Sequence, residues 1–339
     1  MSQDILSDLL RTVRLRSTLY YYVCCMGSWA AEAPSSKQLS SIVMPDVDQV
    51  ISYHVVIAGE CWAALLDEPP VRLRRGDIVL LPQGDPHVVS SAPGLRAVQR
   101  AQPSGPQRPF WIRYDEGGVS QIAPEEAHVE VPGTASLVCG FLGCDLHPFN
   151  PLIATLPRLL HLPADLGHGW GEQFARLAVA ESGDRRPGSE ALLERLSEMM
   201  FVDAIRRHVA GLPTEATGWL AGMRDRQVGR ALALLHEAPG EAWRIDTLGH
   251  RVGLSRSALH ERFIDLLGIA PMQYLTRWRM QIAGRLLRES PMSVLAIAMQ
   301  VGYESEAAFS RAFKRVVGQS PTAWRRERDT TASETAKVA

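Results

Sequence analysis

The stretch VGYESEAAFSRAFKRVVGQSP, residues 301–321, decides the fold of the C-terminal part of this chain. Gly302 stands where a short helix must end, and Ser305 is a typical N-cap for the helix that follows. Phe309 and Phe313 are four positions apart and form one apolar stripe of that second helix. The pattern therefore predicts a short helix, a turn and a longer helix, which together make a helix-turn-helix unit.

The same pattern occurs about fifty residues upstream, in VGLSRSALHERFIDLLGIAP, residues 252–271. Five positions recur at an offset of 50, namely Ser255/Ser305, Leu259/Phe309, Phe263/Phe313, Gly268/Gly318 and Pro271/Pro321. Val252-Gly253 matches Val301-Gly302 at an offset of 49, so the one-residue slip falls in the turn. Residues 271–290 between the units predict a continuous helix of about 30 Å, close to the ~34 Å turn of B-DNA. The second helices would then fit two successive major grooves of one duplex.

Charge is distributed unevenly along the chain, which has 339 residues and a formal net charge of −1. Residues 223–328 contain 17 Lys and Arg against 10 Asp and Glu, a net charge of +7, while the remainder carries −8. A basic segment on an acidic protein is typical of a nucleic-acid-binding domain, although a basic solvated face is the simpler alternative.

The sequence shows no pattern typical of export or membrane insertion. No apolar run approaches the ~20 residues needed to cross a bilayer, and the N-terminus lacks the apolar region of a signal peptide. Five scattered cysteines do not form a disulfide framework. We therefore expect a cytoplasmic protein with reduced thiols and no membrane partner.

The second unit, IAMQVGYESEAAFSRAFKRVVGQSPTAWRR, resembles the signature of the AraC/XylS-type transcriptional regulators. The resemblance covers residues ~223–327 and implies a module of seven helices that binds double-stranded DNA, with RNA polymerase as a further partner. It implies base contacts from Ser257, His260, Glu261, Glu306, Ser310 and Arg311. Phosphate contacts, which position a protein without reading sequence, are expected from Arg256, Arg277, Arg279, Lys314 and Arg315. Ser305 is expected on the same surface.

Three of these side chains differ in how well a base contact suits their chemistry. Arg311 can bind guanine through two hydrogen bonds, which makes it the strongest candidate. Phosphates repel Glu261 unless it accepts from a cytosine amino group, so pairing with Arg262 or with a residue one helical turn away is slightly favoured. Glu306 lies in the first turn of its helix, where a carboxylate also stabilises the helix dipole.

Residues 15–145 alternate short apolar runs with Gly, Pro and Asp, which predicts antiparallel β-structure in a barrel or sandwich. The segment GDIVLLPQGDPH, which ends at His87, has the form G-x5-P-x-G-x2-H and resembles the second cupin motif. YHVVIAGECW resembles the strand before it. The resemblance implies a β-barrel that binds an unknown small effector, as in many AraC-type regulators. Ser52 stands where cupin enzymes usually carry a glutamate, and His54 shares its face of the strand.

His54 and His87 are the candidate effector contacts and also the candidate ligands of a divalent metal, with Cys139 or His147 as a third ligand. Catalytic metals generally take three protein ligands, so two histidines make a weak site and no cofactor is certain. Hydrogen-bonded barrel residues are the alternative. The resemblance also implies thiol-based redox sensing through Cys24 and Cys139, against the alternative that both are small buried hydrophobes.

Residues 151–211 switch to helical spacing. Apolar residues of the last helix cover more than one face: Leu192, Leu193, Leu196, Met199, Met200, Val202 and Ile205. Such a helix needs partner surfaces on more than one side. Packing against the β domain and a two-fold homodimer both remain open.

We therefore expect a multidomain α+β protein with four segments. These are an N-terminal cupin-like β-barrel with helices (1–165), a helical dimerisation segment with linker (166–222), an all-α domain with two helix-turn-helix units (223–328) and a disordered tail (329–339). The predicted function is that of a DNA-binding transcriptional regulator, an activator in the commoner role of the family it resembles, controlled by an effector or redox signal. A metal-dependent cupin enzyme with an accessory DNA-binding domain and a ligand-independent DNA binder are the alternatives to this non-enzymatic function.

Overall fold

A computed structural model describes residues 4–13, 15–45, 47–97, 110–115, 118–123, 134–164, 170–184 and 186–326. The chain forms two compact units that are interleaved in sequence. The β unit comprises residues 15–144 and 156–211, and the helical unit comprises residues 1–14, 145–155 and 212–339. The four consecutive domains predicted above remain predictions as domain limits, and the predicted disordered tail lies outside the described residues.

The β unit contains eleven strands in its described part. They are β1 (Arg16–Cys25), β2 (Ala30–Ala33), β3 (Gln49–Ala58), β4 (Glu60–Leu65), β5 (Val71–Arg74), β6 (Ile78–Leu81), β7 (His87–Ser90), β8 (Phe110–Asp115), β9 (Gly118–Gln121), β10 (Ala135–Cys144) and β11 (Leu160–Leu162). One sheet has seven strands in the order β11-β6-β3-β10-β1-β8-β9, and the other has four in the order β2-β7-β4-β5. Strands β1 and β8 are parallel, and the other pairs are antiparallel.

The two sheets enclose a shared apolar core. Val23 and Val56 of the larger sheet and Leu73 and Val89 of the smaller sheet belong to one buried cluster. The predicted β-rich N-terminal domain and α+β class are thus confirmed, but the predicted barrel is not closed. The described strands form two separate hydrogen-bonded sheets. At the turn that contains Gly76 the chain passes from one to the other, since β5 before the turn belongs to the four-stranded sheet and β6 after it belongs to the seven-stranded sheet.

Helices of the β unit are α2 (Ser36–Val43), α4 (Trp170–Asp184) and α5 (Ser189–Gly211). Helix α5 buries Met200 and Ile205, and its buried Ser197 hydroxyl lies 2.8 Å from the Tyr53 hydroxyl of β3. Internal packing therefore explains one part of the broad apolar surface. Leu192 and Met199 of the same helix remain 47% exposed each.

The helical unit contains nine described helices. They are α1 (Ile5–Thr12), α3 (Pro151–Thr155), α6 (Trp219–Arg224), α7 (Arg226–Glu237), α8 (Ile245–Val252), α9 (Arg256–Leu267), α10 (Pro271–Glu289), α11 (Val294–Gln300) and α12 (Glu306–Val317). Helices α6 to α12 lie in the continuously described stretch 186–326 and match the implied module of seven helices. Helix α1 packs against α7 and α10, and α3 packs against α6.

Four aromatic side chains build the core around α7 and α10. Tyr274 Oη accepts a hydrogen bond of 2.8 Å from Trp219 Nε1 and lies 2.7 Å from His236 Nε2. His236 stacks on Trp278 with 4.0 Å between the ring centroids. Burial lowers the pKa of His236 to about 3, so its imidazole is neutral at physiological pH. A second core forms around Phe309 and Phe313, against α10.

In the described part of the chain, every helix falls short of the length or the apolar character that a bilayer crossing requires.

Candidate nucleic-acid interface and effector cavity

The β unit encloses a cavity of about 380 Å³ between its sheets. Its wall combines aromatic and aliphatic side chains, among them Tyr21, Trp29 and Tyr114, with His54 and His87. Chain geometry explains this convergence. Strand β3 points His54 inward, and the turn after β6 delivers His87 at the first position of β7, where it is buried. The structure therefore brings the two predicted effector residues to one cavity.

His54 and His87 belong to a chain of hydrogen bonds that fixes their tautomers. His87 Nδ1 donates to the Asp85 carbonyl at 3.1 Å, so it carries the proton and His87 Nε2 is an acceptor. His54 Nε2 donates to it at 2.8 Å, and His54 Nδ1 lies 2.9 Å from Cys139 Sγ, whose thiol is the donor. Burial lowers the pKa of His87 to about 4 and that of His54 well below its usual value. Both rings are neutral, and all four ring nitrogens are used.

This geometry does not favour the predicted metal at His54 and His87. In the described ranges, no three His, Cys, Asp or Glu side chains are grouped so that they could hold a metal ion. His147, the other predicted third ligand, lies in the helical unit. The divalent metal stays a prediction that these contacts do not support.

The two predicted redox cysteines lie on opposite faces of the larger sheet. Strand β1 pairs with β10 so that Tyr21 faces Cys139 and Cys24 faces Ser136. Tyr21 and Cys139 line the cavity, and Cys24, three positions along β1, points to the other face. Burial raises the pKa of both thiols, so each is a protonated thiol at rest. The redox role of Cys24 and Cys139 stays a prediction.

The helix-turn-helix geometry follows the predicted caps. Ser255 and Ser305 accept from the backbone N–H of Ala258 and Ala308, as N-caps of α9 and α12. The preceding turns contain Gly253 (φ 78°) and Gly302 (φ 83°), a left-handed conformation that favours glycine. Gly253 precedes its cap by two residues and Gly302 by three, so the slip between the copies does lie in the turn.

Helices α9 and α12 each bury an apolar stripe and expose the polar side chains of the opposite face. Leu259 and Phe263, and likewise Phe309 and Phe313, are fully buried. The candidate DNA contacts are on the open sides: Arg256, Ser257, His260 and Glu261 are exposed on α9, and Glu306, Arg311, Lys314 and Arg315 are exposed on α12. The N-cap Ser305 is also exposed, and Ser310 is half-buried. Sequence reasoning thus located two accessible polar helix faces.

Two further predicted contacts lie on α10 and differ from each other. Arg277 is exposed, with its guanidinium 5.9 Å from the Phe149 ring centroid. Arg279 is half-buried and donates to the carbonyls of Pro239 at 2.7 Å and Glu241 at 2.8 Å. The phosphate contact predicted for Arg279 conflicts with this geometry, because its guanidinium already satisfies backbone carbonyls within the domain.

The expected partner of Glu261 is occupied elsewhere. Arg262 forms an ion pair with Asp225, the N-cap of α7, with a shortest distance of 2.5 Å. For Glu261 itself, the described residues 186–326 provide no ion pair. The pairing with Arg262 favoured from the sequence is therefore wrong, and the Glu261 carboxylate is accessible on α9.

Comparison with known proteins identifies the architecture. A cupin family model matches residues 4–210, and a helix-turn-helix domain model matches residues 248–327. Putative AraC-like transcription regulators of Streptomyces lividans and Streptomyces antibioticus are each 32% identical, over 328 and 326 residues, which is 95% of this chain and 98% of each relative. The chain belongs to the AraC-like transcription regulators. The regulator AlkR of Acinetobacter baylyi is 27% identical over 96% of this chain and 99% of AlkR.

Membership confirms the family expected from the sequence. This AraC-like regulator is a DNA-binding transcriptional regulator with an N-terminal cupin domain. Its relatives named above are transcription regulators.

Sequence reasoning missed part of the cavity wall and two segments of the helical unit. Trp29 lines the cavity from the loop before β2, and Tyr114 lines it from β8. The alternation of Tyr21 and Val23 along β1 was the one available signal for an inward face. Residues 4–13 and 145–155 lie against the DNA-binding helices, and nothing local in their sequence indicates this.

Proposed function

We propose that this AraC-like regulator reads two successive major grooves with α9 and α12 of one protomer. The observation that carries this proposal is the pair of exposed polar helix faces held at the two ends of α10. That helix has 19 residues and a length of about 28 Å, close to the ~34 Å repeat of the duplex. Base contacts come from two sets of side chains. On α9 these are Ser257, His260 and Glu261, and on α12 they are Glu306, Ser310 and Arg311.

Phosphate contacts position the two helices on the duplex. Arg256, Arg277, Lys314 and Arg315 are exposed cations near the proposed base-reading faces. Ser305, at the N-terminus of α12, adds a hydroxyl and a helix end that favours anions. Lys and Arg contacts to phosphate release counterions, so affinity falls steeply as the salt concentration rises.

The cavity of the β unit is the effector site in this proposal. It lies in the cupin domain, has the size range of small-molecule sites, and combines an apolar wall with a few polar groups. We infer a binding role and no catalytic role, because the hydrogen-bond chain occupies every ring nitrogen of His54 and His87. Ligand occupancy then sets DNA binding or recruitment of RNA polymerase in the cytoplasm, most simply as an activator.

The assembly in this proposal is a homodimer. Leu192 and Met199 lie seven positions apart on one face of α5, and Leu177 of α4 is 50% exposed. Residues i and i+7 share a helix face, so a second copy of the same helix can cover this stripe about a two-fold axis.

Hydroxyl-radical footprinting of the full-length protein on DNA upstream of its own gene tests the groove geometry. One protomer should protect two backbone stretches about 10 base pairs apart on one face of the duplex, and a dimer should protect two such pairs. Light scattering should give twice the 37.4 kDa chain mass. A single protected stretch per 37.4 kDa chain would contradict the two-groove proposal, and a monomeric mass would contradict the dimer alone.

A further inference from the structure

The cavity wall is poor in charge. In the described part of the wall, Glu32 is the one charged side chain, and Arg96 and the backbone N–H of Ala97 already bind its carboxylate. Neither Lys nor Arg contributes to this described wall. Transfer of an unpaired ion from water into such a site is very costly, so an anionic or cationic guest lacks compensation.

The histidine end of the cavity is already hydrogen-bonded without a ligand. Cys139 donates to His54, His54 donates to His87, and His87 donates to the Asp85 carbonyl. An apolar ligand can therefore cover these three hydrogen bonds without leaving any of their donors or acceptors unpaired. A sugar carries several hydroxyl groups, and each of them would need a new partner on a mostly aromatic and aliphatic wall.

Wall composition and hydrogen-bond geometry thus select one class of guest. We propose that the cavity binds an uncharged, predominantly apolar small molecule that lies against Trp29, Tyr114 and Leu137. This inference rests on the effector role proposed above and names its ligand class. It distinguishes this site from one built for carboxylates, phosphates or sugars.

A displacement assay on the full-length protein tests the ligand class. The probe is N-phenyl-1-naphthylamine, an uncharged apolar dye whose fluorescence rises on burial, and the competitors are 1-octanol, octanoate, octylamine and glucose at pH 7.5. At this pH octanoate and octylamine are ions of the same chain length as octanol. We expect 1-octanol to displace the dye at a concentration roughly tenfold or more below that of either ion, because neither ion finds a partner charge, and glucose not to displace it.

A charge placed in the wall provides the decisive variant. Ile112 lies on β8 at the cavity, and Ile112→Lys should lower the concentration of octanoate needed for displacement and raise that of octylamine. Leu66→Lys is the matched control, because Leu66 is 50% exposed and does not line the cavity. Circular dichroism establishes that each variant is folded.

The outcomes separate the ligand class from the regulatory role. Equal or better competition by octanoate in the unsubstituted protein, or absence of dye binding by the folded protein, would overturn the inference while DNA binding stands. Displacement by octanol with unchanged DNA affinity would support the ligand class and count against effector control.

A second inference comes from a different set of contacts, on α10. Two segments of the helical unit, residues 4–13 and 145–155, lie along one face of this helix, and we call them the docked segments. Their contacts are Arg285 Nη1 to the Arg11 carbonyl (3.1 Å), Phe149 N–H to Gln281 Oε1 (2.7 Å) and Arg288 to Asp145 (3.6 Å). Gln281, Arg285 and Arg288 are one helical turn apart in sequence.

The docked segments continue directly into the central strands of the β unit. Strand β1 begins at Arg16, three residues after Val13, and β10 ends at Cys144, immediately before Asp145. Asp145 N–H donates to the Val13 carbonyl at 3.0 Å, so the two segments are also joined to each other. Strands β1 and β10 both line the cavity, through residues such as Tyr21 and Leu137.

The chain therefore connects the cavity wall to the helix that separates α9 from α12. We propose that the docked segments transmit the state of the cavity to α10. Displacement of β1 or β10 changes the contacts of the docked segments with α10. The changed contacts in turn alter the orientation of the two helix-turn-helix units relative to each other. A ligand drives such a change only if it prefers one of the two arrangements.

Gly284 of α10 offers a specific way to disturb the docked segments. A Cβ at this position would meet the Pro148 ring at 2.8 Å, and a proline ring is rigid, so Gly284→Ala should displace residues 145–155. Alanine is also the better helix former, by about 1 kcal/mol, so α10 itself is preserved. Gly211→Ala is the matched control, because nothing lies within 4 Å of the Cβ added there.

Hydrogen exchange followed by mass spectrometry on the full-length variants tests transmission. In Gly284→Ala we expect the exchange rate of residues 145–155 to rise roughly tenfold or more, because the segment opens locally. The exchange rates of β1 and β10 should also change. Those of β4 and β5 should stay as in the unsubstituted protein. Gly211→Ala should leave all of these unchanged. Faster exchange in 145–155 without any change in β1 and β10 would overturn the proposal, and so would unaltered exchange in both. DNA binding of the same sample, which retains α9 and α12, reports separately on the DNA-reading proposal.

Discussion

Arg311→Ala should weaken binding of the footprinted DNA site about 5- to 150-fold, the equivalent of the ~1–3 kcal/mol of one bidentate base contact. Arg311 is exposed on the open side of α12, and the buried stripe of that helix does not include it. Folding stability should therefore change by no more than about 0.5 kcal/mol. Fluorescence anisotropy with the labelled site, and with a set in which each base pair is changed in turn, measures affinity and discrimination.

Two neighbouring substitutions separate base reading from charge. Arg311→Lys keeps the cation but loses the two-pronged geometry, so discrimination at one base pair should relax while non-specific binding persists. Lys314→Ala, on the same helix, should weaken binding to all sites alike and reduce the salt slope by about one. Unchanged discrimination in both Arg311 variants would show that this side chain does not read a base.

The paired helix-turn-helix units could be predicted because their signals are local. Glycine before each turn and serine two or three residues later are dictated by backbone conformation and by unpaired N–H groups at the helix start. Gly253, Ser255, Gly302 and Ser305 adopt the predicted geometry. The buried stripe of each second helix follows from a period of 3.6 residues. These features depend on a few neighbouring residues and on nothing distant.

Arg279 and Arg262 show where local reasoning fails. Both are cations on or next to predicted DNA-facing helices, and nothing near them in sequence distinguishes them from Arg277 or Arg256. Their partners lie 37 to 40 residues upstream, at Asp225 and at the Pro239 carbonyl. Only the tertiary fold brings those acceptors within reach, so the fold decides whether an arginine is free to meet phosphate.

For the cupin domain, the sequence motif could be recognised, but whether the two sheets close into a barrel could not be predicted. The turn-strand-turn pattern that ends at His87 correctly placed this ring beside His54, since strand alternation and a tight turn fix side-chain direction. Whether two sheets close into a barrel depends on pairing between edge strands that are distant in sequence, here β2 and β5 against β9 and β11. The hydrogen bond from Cys139 to His54 joins residues 85 positions apart and was equally inaccessible.

Acidification should destabilise the helical unit well before its carboxylates are protonated, because of His236. This ring is buried against Trp278, and its Nδ1 has no hydrogen-bond partner in the described part of the chain. A second proton would create a charge buried away from water, which is why the folded-state pKa is about 3. The unfolded chain binds that proton near pH 6.5.

The sign follows from proton uptake by the unfolded state. Between pH 6.5 and 3 the unfolded chain holds one more proton at His236, so stability falls as the pH falls, by at most about 1.4 kcal/mol per unit. Burial raises the pKa of Asp225, but the hydrogen bonds and charge of Arg262 and the backbone N–H groups of Val228 and Gln227 lower it overall, so its contribution is lost only as the pH falls through and below the ordinary carboxyl range. Between pH 6.5 and 5 the expected loss from His236 is up to about 2 kcal/mol.

Urea unfolding of the full-length protein between pH 7.5 and 5, followed by tryptophan fluorescence, measures this slope. His236→Gln keeps an acceptor for the Tyr274 hydroxyl but cannot be protonated, so its stability should fall less between pH 6.5 and 5. His54 and His87 titrate alike in both proteins and cancel in the difference. Tyr274→Phe is the control, since it removes the hydrogen bond but keeps the buried imidazole, and its slope should match that of the unsubstituted protein. Equal slopes for His236→Gln and the unsubstituted protein would show that the ring accepts a proton in the folded state, which requires the aromatic cluster to open to solvent.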